Sequence, residues 1–281
     1  MSAPITGETL VAGVIGDPVR HSLSPVIHNA WIEAAGLDAV YVALPASSEH
    51  FGELVRGLAG GAMLGLNVTI PFKEAAAGIA DVKSPATRAA GAANVLVFRG
   101  GRIEADNTDG AGLLAALGDA GFNPFSPVVV LGAGGAARGA VLSLLEAGVP
   151  SIRLVNRSRE RAQAIAAVHP RISVYGWDDA HHLLDGVAAV INASSLGMSG
   201  QPALELSLDK APPTAVVMDM VYRPLKTGLL AAAEARGNPI ADGLSMLIGQ
   251  ARPSFEAFFG RPPPRDVDVR RLCEQALGQG R

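Results

Sequence analysis

The stretch VVVLGAGGAARGA, Val128 to Ala140, decides how this chain is read. Four apolar residues, Val128 to Leu131, form a short buried strand. The strand runs directly into Gly132-x-Gly134-x-x-Ala137, and a helix opens through Arg138 to Leu145. Each position has a physical purpose. The first glycine permits a tight turn, the second lets backbone approach a pyrophosphate, and the small third residue lets helix and strand pack closely. The helix start then offers unpaired N–H groups and partial positive charge to phosphates. A tight turn with nothing bound is the alternative. Placement between strand and helix favours dinucleotide binding.

Cofactor choice is read at the end of the next strand. An NAD-preferring fold places Asp or Glu there to hold the ribose 2′-hydroxyl. This chain has Leu154-Val155-Asn156-Arg157-Ser158-Arg159-Glu160-Arg161 instead. A neutral Asn156 followed by Arg157 and Arg161 would attract a 2′-phosphate that a carboxylate would repel. Solvated helix-start arginines are the plain alternative, and NADP is the expected cofactor.

Outward from this motif, strand-like runs alternate with amphipathic stretches. Before it lie strands at Leu10–Ile15, Val40–Leu44 and Met63–Val68, and helices at Ser24–Ala35, Ser47–Leu58 and Pro71–Ala80. Ser24 reads as the cap of the first of these helices and Gly36 as its terminator. Val95–Phe98 and Arg102–Ala105 flank Gly100-Gly101 as a hairpin, and a helix follows at about Thr108–Ala120. After the motif come strands at Ile152–Asn156, Ile172–Tyr175, Val187–Asn192 and Ala215–Met220. The C-terminal stretch from Gly243 is helical, interrupted at Pro262-Pro263-Pro264, and Pro253 predicts a kink or restart near Arg252. The fold class is α/β: an N-terminal domain with a mostly parallel sheet, a Rossmann-like domain, and C-terminal helices packing back on the first. The boundaries are residues 1–107 plus 244–281 for one domain and 108–243 for the other.

Composition excludes several classes of function. Hydrophobic residues make up 49% and charged residues 17%, which provides a core and argues against disorder. Net charge is −3 with scattered Lys and Arg, so neither a nucleic-acid stripe nor a polybasic membrane patch is expected. Cys273 is the one cysteine and cannot form an intrachain disulfide. His181-His182 beside Asp178-Asp179 suggests a metal site, but adjacent histidines are expected to point apart with no third ligand, so no metal is expected. Met1 to Glu8 does not read as a signal peptide, and no apolar run approaches the roughly 18 residues of a bilayer span. A cytoplasmic location is expected.

Redox at a carbonyl needs a hydride carrier and a group that moves the hydroxyl proton. The candidate segment is Asn67-Val68-Thr69-Ile70-Pro71-Phe72-Lys73-Glu74, with Lys73 in the first turn of a helix begun by Pro71. Most lysines are simply solvated. Three further segments at strand ends single this one out: Gly16 to Pro25, Gly91 to Asn94, and Asp106 to Gly110. Together with Asn192 to Met198, Asp219 to Tyr222 and Asp242 to Leu247, they resemble the shikimate dehydrogenase family in order from Gly16 to Gln250.

The resemblance implies specific roles. Ser22 and Ser24, assisted by Tyr222, would bind a substrate carboxylate. Asn67, Thr69, Asn94 and Gln250 would pair with ring hydroxyls, and Lys73 with Asp109 would form the catalytic pair. The cofactor site would include Gly132, Gly134, Gly135, Ala136, Ala137, Asn156, Arg157, Ser158, Arg161, Ser194, Met220 and Gly243. The implied activity is NADPH-dependent reduction of 3-dehydroshikimate to shikimate in aromatic amino-acid biosynthesis. A small cyclic acid would be the partner, and the chain would act as a monomer or homodimer. A quinate/shikimate or aminoshikimate dehydrogenase and a non-catalytic NADP-binding sensor are the rival readings. The chain departs from the family pattern at Pro253, at Ser245 where glycine is usual, and at Ala93-Asn94-Val95 in place of Val-Asn-Thr.

Overall fold

The structure, a computed structural model, describes residues 4–279. The outermost positions of the domain ranges above lie outside these residues. The chain divides into two compact units: one holds the chain up to Thr108 and from Gln250 onward, the other Asp109–Gly249.

The first unit contains β1 (Leu10–Gly16), α1 (Ser24–Ala34), β2 (Ala39–Pro45), α2 (Phe51–Ala59), β3 (Met63–Val68) and α3 (Lys73–Ile79). It continues with β4 (Val82–Lys83), α4 (Pro85–Ala90), β5 (Val95–Arg99) and β6 (Arg102–Asp106). The sheet order is β2-β1-β3-β5-β6-β4, with β5 antiparallel to both neighbours and the other pairs parallel. The sheet is thus mostly parallel, as expected. The edge strand β4 and helix α4 go beyond the elements expected from the sequence; β4 has two residues, too few to show a period of two.

Three local expectations need correction. Ser24 does not cap α1: the cap position is Leu23, and the Ser22 hydroxyl accepts from the Ser24 N–H at 3.2 Å. Helix α2 begins at Phe51 rather than Ser47, because Ser47 and His50 close a turn on each other. Helix α3 begins at Lys73 rather than Pro71, because Phe72 N–H bonds the Thr69 carbonyl in a turn ahead of the helix.

The second unit runs α5 (Asp109–Asp119), β7 (Val128–Leu131), α6 (Gly135–Glu146), β8 (Ile152–Val155), α7 (Arg159–Ala166), β9 (Ile172–Tyr175), β10 (Ala189–Asn192), β11 (Val216–Asp219), α8 (Gly228–Ala235) and β12 (Ile240–Ala241). Its sheet is parallel throughout, in the order β12-β11-β10-β7-β8-β9. Both faces are covered by apolar clusters, which is why β7 and β11 read as unbroken Val and Leu or Met runs. The chain returns to the first unit within α9 (Gly243–Phe259) at Gln250, and α10 (Val269–Gln279) follows. That return is later than residue 244, because Met246 packs on the second unit's core and Gly249 lies against Gly112 and Ala115. Helix α9 passes Pro253 without interruption, so the expected restart is absent. Among the described residues, no helix is long and apolar enough to cross a membrane.

One buried group links the first unit's core to pH. His28 on α1 is fully buried, stacked on Tyr41 with ring centroids 4.1 Å apart, and neither ring nitrogen has a hydrogen-bond partner. Burial lowers its pKa to about 3, so the folded protein holds the neutral imidazole. The unfolded chain binds the extra proton below about pH 6.5. The stability contributed by neutral His28 is therefore present above that pH and is lost as pH falls towards 3. Urea unfolding at pH 7 and pH 5 is expected to cost wild type about 2 kcal/mol more than a His28→Phe variant. Equal pH dependence in the two proteins would refute this account.

Candidate active site

In the first unit, β1 and β3 are parallel neighbours, so the loops after both leave from the same sheet edge. Gly16 makes this approach close. A Cβ there would collide with the Thr69 methyl group and lie 3.1 Å from the Ile70 carbonyl. Backbone bonds lock the two loops together: Thr69 N–H to Ile15 O at 3.0 Å and Asp17 N–H to Ile70 O at 3.0 Å. The loop bearing Ser22 and Ser24 and the one bearing Asn67 and Thr69 are thus a single construction. Ser24 is buried, and Ser22, Asn67 and Thr69 are half-buried.

Asn94, the residue just before β5, is buried and ties these loops to distant segments. Its carbonyl accepts from Val68 N–H at 2.9 Å and from Asn67 Nδ2 at 3.1 Å. Its Nδ2 donates to Thr108 Oγ1 and to Gln250 Oε1, each at 3.0 Å, and its Oδ1 accepts from Thr108 N–H at 2.7 Å. Ser254 completes the cluster, accepting from Asn67 Nδ2 at 2.9 Å while donating to the Gln250 carbonyl at 3.0 Å. That same carbonyl also accepts from Thr108 Oγ1 at 3.1 Å. Lys73, half-buried as the first residue of α3, joins through its backbone, since its carbonyl accepts from Ala93 N–H at 2.8 Å. Asp109 directly follows Thr108 in the chain, opens α5 and is itself buried.

The structure therefore brings Asn67, Asn94, Gln250 and the Lys73 backbone into one bonded group, with Thr69 and the Ser22–Ser24 loop on the adjoining strand ends. Tyr41, Thr108 and Ser254 belong to the same network, although no sequence motif marks them as site residues. The only sequence signal was weak: Thr108 lies inside the polar run Asp106 to Asp109, whereas Tyr41 and Ser254 look like ordinary strand and helix residues.

In the second unit, β7 lies between β8 and β10, and the chain reverses its direction of addition there. Such a switch point opens a crevice at the strand ends. Gly132 has φ +110, and a Cβ on it would lie 3.0 Å from the Ala193 carbonyl carbon and oxygen and 3.1 Å from Ser194 N. Only glycine fits both that dihedral and that approach. Gly134 and Gly135 differ: a Cβ at either would meet nothing within 4 Å. Their small size leaves an open cradle at the α6 N-terminus, which has no side-chain cap. Ala137, by contrast, is buried against β7, which meets the close-packing requirement. Beyond β8, Asn156 Nδ2 donates to Ser158 O at 2.8 Å, and Arg157 and Arg161 are exposed. A cradle of free N–H groups beside two unburied guanidinium groups suits a pyrophosphate and a further phosphate.

Ser194 is set by a second buried network. Asn192 Oδ1 accepts from Ser194 N–H at 3.0 Å and from Ser194 Oγ at 2.7 Å, while its Nδ2 donates to Asp219 Oδ1 at 2.9 Å. Asp219 also accepts from Val221 N–H at 3.0 Å and from Thr227 Oγ1 at 2.7 Å. Burial pushes the Asp219 carboxyl above the usual carboxylate range, and these three bonds oppose the rise. The half-buried Met220 and Tyr222 flank Val221 just past β11. Gly243 is a packing glycine, since a Cβ there would strike the Met220 carbonyl. His181 and His182 do not point apart as expected: their rings lie 3.7 Å apart because Lys210 Nζ holds His182 Nδ1 at 2.9 Å.

Family models match three stretches: a shikimate dehydrogenase substrate binding domain over residues 14–96, a shikimate/quinate 5-dehydrogenase over 123–201, and a shikimate 5′-dehydrogenase C-terminal domain over 243–273. The chain is 51% identical over 284 residues to a protein of Caulobacter vibrioides named shikimate dehydrogenase (NADP(+)), covering 99% of this chain and 100% of that one. A Thermus thermophilus shikimate 5-dehydrogenase, solved with NADP(H) and shikimate, superposes with a TM-score of 0.85 at 33% identity, covering 96% and 99% of the two chains. A Corynebacterium glutamicum quinate dehydrogenase, solved with NAD, gives a TM-score of 0.86 at 28% identity, with coverage of 96% and 99%.

Asp219→Ala would leave the donors of Asn192, Val221 and Thr227 without an acceptor. It is expected to lower the unfolding free energy by about 3 kcal/mol. Asp219→Asn keeps an acceptor for Asn192 and Val221 and lets Thr227 accept instead of donate, so it should cost less than half as much. Chemical denaturation of both variants checks the order; equal losses would contradict it.

Proposed function

Because the chain belongs to the shikimate dehydrogenase family, we propose that it catalyses the reversible NADPH-dependent reduction of 3-dehydroshikimate to shikimate. It is an NADP-dependent oxidoreductase acting on a CH–OH group. The observation that carries the reading is the bonded group about Asn94, where neutral hydrogen-bonding side chains gather beside the first residue of α3, Lys73. A polyhydroxylated acid needs such a surface. A site built to pair hydroxyls also rejects analogues that lack them.

The roles follow from chemistry and from the family. Ser22 and Ser24, with Tyr222, hold the carboxylate through their hydroxyls. Asn67, Thr69, Asn94 and Gln250 pair with ring hydroxyls. When bound, NADPH supplies a hydride to the C3 carbon. Lys73 Nζ gives its proton to the C3 oxygen as the ketone becomes an alcohol, and takes a proton back in the reverse direction. Asp109 orients the lysine and the substrate. The uncapped α6 N-terminus with Gly132, Gly134, Gly135, Ala136 and Ala137 holds the pyrophosphate. Asn156, Arg157, Ser158 and Arg161 hold the 2′-phosphate, and Ser194, Met220 and Gly243 complete the cofactor contacts. The first unit is thus the substrate domain and the second the cofactor domain.

Quinate with NAD is the nearest alternative, and a neutral Asn156 followed by exposed Arg157 argues against it. Absorbance of reduced nicotinamide, followed with shikimate and quinate and with each cofactor, tests the assignment. Turnover of shikimate with NADP well above all other pairs is expected; turnover of quinate with NAD above it would reverse the assignment. Lys73→Ala should lower kcat by about 10²–10⁴-fold. Lys73→Arg should not restore it, because a guanidinium does not give up its proton; a near-normal kcat in either variant removes Lys73 from the chemistry. Arg157→Ala should reduce kcat/KM for NADP by about 10–100-fold, the worth of a charged hydrogen bond, and leave that for NAD within about threefold. Parallel losses with both cofactors would contradict 2′-phosphate recognition.

A further inference from the structure

We propose that Tyr41 and Ser254 are specificity-determining positioning residues, which fix the Asn67 amide so that it meets the substrate ring only as a hydrogen-bond acceptor. This rests on the reading of the chain as a shikimate dehydrogenase. The polarity of Asn67 follows from its neighbours. The Asn94 carbonyl can only accept, so it demands the amide N–H edge of Asn67, 3.1 Å away. The second amide hydrogen goes to Ser254 Oγ at 2.9 Å, and the Ser254 proton is itself directed to the Gln250 carbonyl at 3.0 Å. Both donors of Asn67 are therefore spent inside the protein. Its Oδ1 is turned towards Tyr41, whose hydroxyl donates to it at 2.7 Å. One lone pair on Oδ1 is all that this side chain has left to offer.

Tyr41 holds its place without help from a ligand. Its backbone N–H and carbonyl are both bonded by the Asn29 side chain, at 2.9 and 2.8 Å. Its ring lies flat on His28, 6° from parallel, and is buried. The hydroxyl is thus a fixed donor on a buried, well-packed ring.

The remaining lone pair has a definite chemical consequence. It can receive an O–H but would repel any oxygen that lacks a hydrogen. The reacting oxygen is a ketone in one oxidation state and has no hydrogen to give. Asn67 must therefore read a ring hydroxyl that keeps its hydrogen throughout, either at C4 or at C5. It would then stabilise both oxidation states alike and act on KM more than on kcat.

The test uses shikimate analogues in which the C4 or C5 hydroxyl is replaced by hydrogen or by fluorine, which accepts but cannot donate. For the hydroxyl read by Asn67, the wild-type enzyme should use the fluoro analogue no better than the deoxy one. Tyr41→Phe removes the fixed donor together with the bond between the Tyr41 hydroxyl and the Ser24 side chain, so discrimination at one ring position, rather than KM alone, reports on Asn67. The substitution should raise KM for shikimate about tenfold, leave kcat and KM for NADP within about threefold, and reduce discrimination against the deoxy analogue at that one position about tenfold. Ser254→Ala should reduce discrimination at the same position. If the wild-type enzyme prefers the fluoro analogue to the deoxy one at both positions, or if Tyr41→Phe discriminates as wild type does, the proposal is wrong. The fluoro and deoxy comparison on wild type decides the polarity even where a variant does not fold. Wild type inactive on shikimate with either cofactor would overturn the proposed activity as well, so the two failures are distinguishable.

Discussion

The first unit depends on a single buried amide. Asn94 is almost wholly shielded from water, so each of its polar atoms must find a partner within the protein. It finds them on β3 through Val68 and Asn67, at the end of the hairpin through Thr108, and on α9 through Gln250. No apolar residue could gather these segments with the same directionality, because apolar contact does not specify which atom faces which. The requirement to satisfy one amide fixes the angles of several polar side chains at the strand ends at once.

The second unit solves a comparable problem with another Asn and a carboxylate. Asn192 and Asp219 stand at the ends of adjacent parallel strands and pair directly. Asp219 tolerates burial because three donors surround it. The result is a rigid turn at Ala193–Ser194 that backs the tight turn at Gly132. Beside it the N-terminus of α6 stays open, because Gly134 and Gly135 keep side chains out of the way.

Helix α9 shows how a local rule yields to tertiary packing. Pro253 lacks an N–H and predicts a break, yet the helix runs on to Phe259. Close to the proline, the Gln250 carbonyl receives side-chain hydroxyls from Ser254 and Thr108. The polar network around Gln250 thus coincides with the segment where the helix ladder is weakest, and these extra bonds help to hold it in place.

Much was legible from the sequence because it reports properties with a short range. Runs such as Val128–Leu131 and the Gly132-x-Gly134-x-x-Ala137 turn identify strand, turn and helix by steric rules that act over a few residues. Strand β4 is too short to show a period, and α2 and α3 start later than Ser47 and Pro71 because neighbouring turns, rather than propensity, set them. The sequence by itself determined the α/β class, the glycine-rich turn between β7 and α6 and which polar residues stand at strand ends. Only the tertiary structure decided that Tyr41, Thr108 and Ser254 complete the Asn94 group and that Asn67 has no donor left to give. Hydrogen-bond polarity is set by which atoms meet across segments far apart in the chain, and no local pattern of residues encodes that meeting.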